Sequence, residues 1–133
     1  MSYVNDKELE RRVVLFRDKV CYWQKILGIM DVEINVAAIH PEADSGRVRA
    51  SWHSDVPGMI ITMFYSEQWL KSDDVKDSEV DKVAFHEVFE CQFHKIHAML
   101  RQHFSGDEAD RVKHEIVRRA ENCIWPVMRE VVE

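Results

Sequence analysis

The run VAFHEVFECQFHKIH, residues 83–97, sets His86, Glu87 and Glu90 among Phe85, Phe89 and Phe93. On a helix turning about 100° per residue, Glu90 comes round one turn after His86 on the same side. An imidazole and a carboxylate placed that way could grip one metal ion. Glu87, one step further round, points aside from the pair and could reach a water on that ion as a general base.

This H-E-x-x-E pattern is the H-E-x-x-H zinc-peptidase arrangement with a carboxylate in the second ligand place. His94 and His97 follow on the same run, but His97 falls roughly 16 Å along the axis from His86, too far to share one ion. They could line a pocket beside it. A third ligand must come from elsewhere, and KHEIVRRAEN offers His114, Glu115 and Glu121; helical phase does not choose among them. A chain with 7 histidines and 24 acidic residues also places His and Glu four apart on ordinary solvated faces. What favours a site is that His86 and Glu90 flank the apolar stripe, where a cleft beside a sheet could form. A His/Glu/His set would accept iron or manganese as well as zinc. Cys91 has no evident base partner and reads as a small packed side chain.

Several elements must position these groups. Leu9, Val13, Phe16, Val20, Trp23 and Leu27 alternate steps of four and three, the stripe of a long amphipathic helix capped at Asn5 or Asp6 and stopped at Gly28. DVEINVAA and RVRASWH alternate with the period of strands, burying Val32, Ile34 and Val36, then Val48, Ala50 and Trp52. After the Pro57-Gly58 turn, MIITMFY reads as a third strand, apolar on both faces. SEQWLKSDDVKDSE reads as a surface loop with a short helical patch at Trp69 and Leu70. Ser78 and Asp81 match a capping box that would start a helix running to about Leu100, with Phe85, Val88, Phe89, Phe93, Ile96 and Leu100 inward. Ser105 and Glu108 repeat that spacing before a last helix with Ala109, Val112, Ile116, Ala120 and Cys123 inward and a kink or end near Pro126. Trp23, Trp52, Trp69 and Trp125 read as core or core-edge residues. The expected fold is α+β: an N-terminal helix, a small three-stranded, mainly antiparallel sheet, and two C-terminal helices.

The 133 residues suit a single domain, 1–133, and the 46% hydrophobic, 32% charged composition is globular. A net charge of −6 argues against nucleic acid as a partner. Cys21, Cys91 and Cys123 fit neither a disulfide framework nor a Cys-rich metal ribbon, so a reducing cytoplasm is expected. The start MSYVNDKELERRVV carries charge where a signal peptide needs an apolar run, so neither export nor a membrane span is expected. Nothing in the sequence sets the oligomeric state.

WQKILGIMDVEINV, the strands RVRASWH and MIITMF, VAFHEVFE and HEIVRRAEN together resemble the small zincin-like metallopeptidases encoded by bacteriophages and prophages. The resemblance covers most of the chain. It implies a zincin-like fold and a zinc-dependent metallopeptidase, with His86, Glu90 and His114 on Zn2+ and Glu87 as the general base, acting on a peptide or protein in the host cytoplasm. Lys113 departs from the pattern, which tends to have an acid before the last-helix histidine. By analogy with zincins, an extended substrate would lie along MIITMFY as an edge strand. The other class of function is a non-catalytic zincin-fold binding protein, a phage factor sequestering a host protein with or without metal.

Overall fold

A computed structural model describes residues 2–55, 60–93 and 101–132. The elements are α1 (Asp6–Ile26), β1 (Glu33–Ala38), β2 (Ala50–Asp55), β3 (Ile60–Tyr65), α2 (Glu67–Lys71), α3 (Asp77–Cys91), α4 (Gly106–Cys123) and α5 (Trp125–Val132). Helices and one small sheet thus form a mixed α and β fold. Among the described residues no helix is long and apolar enough to cross a membrane.

Helix α1 begins where the sequence signals it, with the Asn5 side chain accepting from the Glu8 amide at 2.9 Å. Its inward stripe buries Phe16, Val20 and Trp23, and Gly28 takes φ +71° just past its end, a conformation that glycine adopts without strain. Trp23 meets Phe85 of α3 edge-on at 5.0 Å and donates from Nε1 to Asp81 at 2.7 Å. That bond satisfies the indole nitrogen inside the core and locks α1 against α3. Asp81 therefore does not complete a capping box. Helix α3 starts at Asp77, after a Lys76 cap that makes no side-chain bond. The expected continuation to Leu100, with Ile96, His97 and His94, lies outside the described residues.

The sheet order is β1-β3-β2, with β1 parallel and β2 antiparallel to β3. Half the pairing is parallel, which corrects the expectation of a mainly antiparallel sheet. The reason is positional: the chain reverses between successive strands, so inserting β3 between the first two sets it parallel to β1. The strand most apolar on both faces takes the centre, burying Ile61, Met63 and Tyr65 on the core side. MIITMFY is therefore no edge; β1 and β2 are.

The segment expected as a surface loop contributes to the core through Trp69, Leu70 and Val75. Two polar devices allow that. Arg12, buried on α1, donates to the carbonyls of Leu70 and Ser72 at 2.6 Å each and of Val75 at 3.0 Å. Asp44 accepts from the Ser66 hydroxyl at 2.7 Å and the amides of Gly46 and Gln68 at 3.0 and 3.3 Å, while Ser66 caps α2. Burial raises the Asp44 pKa, but these donors outweigh it and hold the carboxyl below its ordinary value. A depressed folded value means the stabilisation is present above the ordinary Asp range and lost as pH falls through the folded value. Asp44→Ala is expected to cost about 1–3 kcal/mol at neutral pH and less in acid, read from urea unfolding at both.

Helix α4 is capped by Ser105, whose hydroxyl accepts from the Glu108 amide at 3.1 Å, and ends at Cys123, with Ile124 between it and Trp125-Pro126. Its inward face differs from the expected one. Val112 and Ile116 are 43% and 42% exposed and Cys123 is exposed, while Ala109, Val117 and Ala120 are buried. The step of four from Ala109 through Lys113 to Val117 faces α3, and that turns Lys113 inward.

Candidate active site

Helix α3 packs between β2 and α4, and its polar side opens on a cavity of about 540 Å3. Trp52 of β2, His86, Glu87 and Glu90 of α3, and His114 and Glu121 of α4 all wall it. The expected pair on one helical turn is present: His86 Nε2 lies 3.2 Å from Glu90 Oε2.

Glu90 is 7% exposed, and its two oxygens divide their partners. Oε1 accepts from Trp52 Nε1 at 2.9 Å and lies 3.5 Å from Lys113 Nζ, which sits over the Trp52 ring. Oε2 faces His86 Nε2 and, at 3.8 Å, His114 Nδ1. Burial alone would raise this carboxyl's pKa, yet His86, Lys113 and Trp52 stabilise the anion and hold it down at about 2. Burial likewise opposes a charged His86, but Glu121 and Glu90 outweigh it and raise the ring to about 10. Both ring nitrogens are engaged, since Nδ1 meets Glu121 Oε2 at 2.5 Å.

Glu87 is the contrasting carboxyl. It is 7% exposed and has no hydrogen-bond partner among the described residues. Burial, then the charge of Glu90, pushes its pKa up to about 8. Two glutamates three residues apart thus have opposite proton affinities because one is paired and the other is not.

Of the three residues left open on the last helix, the fold brings two to the site. Glu121 binds His86 directly, and His114, its side chain 54% exposed, stands at the rim beside Glu90. Glu115 points away and pairs with Arg119 at 3.1 Å. Among the described residues no three His, Cys, Asp or Glu side chains already converge as a group able to hold a metal. Cys91 is buried with its thiol donating to the Val88 carbonyl, and burial, followed by Glu87 and Glu90, pushes its pKa up to about 12, as expected of a packed side chain. His94 and His97 lie outside the described residues.

Trp52, expected in the core or at its edge, and Lys113, a departure from the resembled pattern, are both partners of Glu90. The signal for Lys113 was its place four residues from Ala109 and from Val117. No protein-family model, curated protein or solved structure matches the chain.

Proposed function

We propose that the chain is a zincin-like, zinc-dependent peptidase with His86, Glu90 and His114 as the metal ligands and Glu87 as the general base. The supporting observation is Glu90 Oε2, which lies between two imidazole nitrogens at 3.2 and 3.8 Å on a cavity wall shared with Glu87. Ligands about 2.0–2.2 Å from a tetrahedral ion stand about 3.3–3.6 Å from one another, so a small rotation of the half-exposed His114 brings its separation from Glu90 into that range. Glu121 on the far nitrogen of His86 is what a liganding imidazole usually has, a carboxylate that fixes its tautomer and ring plane.

Zinc, when bound there, would make an attacking water more acidic and polarise the scissile carbonyl. The rest follows from the chain's own residues. Glu87, with a proton affinity near neutral pH, takes the proton of the attacking water and returns it to the leaving amine. Trp52 and Lys113 hold Glu90 Oε1 and so aim Oε2 at the two imidazoles. Edge strand β2 lies on the cavity wall with no strand on its outer side among the described residues, so an extended peptide would lie along β2. A phage or prophage origin and a cytoplasmic place of action belong to the same reading.

One observation favours a second reading, a binding module without catalysis: Lys113 already supplies Glu90 with a cation. Metal analysis of the freshly purified protein, followed by a peptide-library digest read by mass spectrometry, separates the two. The peptidase reading expects about one zinc per chain and cleavage abolished by a chelator. Metal without cleavage supports the binding module, and neither metal nor cleavage removes the hydrolase.

A further inference from the structure

The chain has 24 acidic residues against 18 lysines and arginines, so carboxylates are in excess. Arg11 and Arg119 each reach a glutamate, and Arg12 reaches both a glutamate and buried carbonyls. Arg47 and Arg49 share the lack of a partner with Arg17, Arg101, Arg111 and Arg118 among the described residues, but differ from those four in their place. They are exposed, they wall the cavity that holds His86 and Glu87, and neither guanidinium has a hydrogen-bond or ion-pair partner among the described residues. A neighbouring cleft that both arginines also wall contains Asp74 and Glu79, yet neither arginine pairs with either of them. Both precede Ala50, the first residue of β2, so they stand at one end of the strand along which a peptide would lie.

A guanidinium without a partner keeps its planar donor fork open for a carboxylate, and two of them spaced two residues apart can serve one acidic side chain or two neighbouring ones. Deeper in the cavity the carboxylates of Glu90 and Glu121 are already paired with His86 and Lys113, so the open donors stand at the rim. The arrangement is a cationic rim over a floor whose charges are matched, and it selects where along a bound peptide the negative charge falls.

We infer that Arg47 and Arg49 make the cleft selective for peptides carrying a Glu or Asp side chain close to the segment held over the active centre. The inference rests on the cavity being a peptide-binding cleft, and its test reads binding, so that it stands or falls apart from cleavage. Three pools of dye-labelled, end-capped peptides, identical apart from a fixed Glu, Gln or Lys, are titrated by fluorescence anisotropy against the full chain and against Arg47→Glu/Arg49→Glu. The Glu pool is expected to bind the wild-type chain about tenfold more tightly than the Gln pool, with the Lys pool weakest. Charge reversal abolishes or inverts that order and leaves the Gln pool within about twofold, and high salt narrows the gap. Tight Glu-pool binding without cleavage upholds the inference while counting against the peptidase. Equal binding of all pools, no binding, an order unmoved by the reversal, or equally tight binding of a single-stranded oligonucleotide would each overturn it.

Discussion

In the proposed peptidase, Glu87→Gln is expected to leave the zinc content unchanged and to lower turnover of a cleavable peptide by roughly 10²–10⁴-fold, the usual weight of a general base. The exchange keeps the shape of a side chain that is 7% exposed and has no hydrogen-bond partner among the described residues, so the fold is not the cause of the loss. His86→Ala, by contrast, is expected to lose metal and turnover together, because it removes a proposed ligand and takes from Glu121 its imidazole partner. Zinc-loaded wild type and Glu87→Gln turning over at equal rates would remove Glu87 from the chemistry. The same variant has a thermodynamic signature in metal-free protein. The folded pKa of Glu87 is raised from 4.5 to about 8, so the fold favours the protonated carboxyl. That contribution is whole below the ordinary glutamate value and is lost as pH rises through the folded one. Wild type should therefore lose stability between about pH 4.5 and 8 relative to Glu87→Gln, in urea unfolding followed across that window. Parallel curves for the two proteins would show that the carboxyl ionises freely.

The largest effect on stability is expected away from the cavity. Arg12→Met keeps the apolar stem but removes the donors to the carbonyls of Leu70, Ser72 and Val75, and should cost about 3 kcal/mol or more. Its neighbour Arg11 supplies the control. Arg11 makes closer ion pairs, with Glu8 at 2.7 Å and Asp77 at 2.8 Å, but its side chain is 49% exposed against 7% for Arg12. Arg11→Ala should cost less than about 1 kcal/mol. Urea midpoints that rank the two variants the other way round would mean that the carbonyls find water once Arg12 is gone.

The contrast between these two arginines also marks what could be read in advance. The stripe of α1, the Asn5 and Ser105 caps, and the His86–Glu90 pair follow from local spacing, because each is set within a turn or two of helix. Burial of Arg12 depends on a segment some 60 residues away and leaves no local periodic trace. The order of the strands is non-local too, since β3 reads as a strand without showing which strands flank it. On α4 apolar identity points to Val112 and Ile116, whereas the helix turns the face of Ala109, Lys113, Val117 and Ala120 inward and leaves Val112 and Ile116 partly exposed. Spacing likewise left His114, Glu115 and Glu121 equivalent; contact with α3 separates them.

The central strand is also the last of its sheet in the chain, with consequences for how the molecule assembles. β2 and β3, separated by only four residues, can zip together locally, while β1 must wait for β3, which is synthesised only after β2. Acquisition of the native state should then be limited by the docking of β1, so a core truncation such as Val36→Ala slows refolding, while one at Thr62 or Trp52 acts on the earlier closure. A nascent polypeptide arrested before Ile60 has two strands that do not pair with each other in the native order, and it has to be kept from pairing elsewhere until the third emerges.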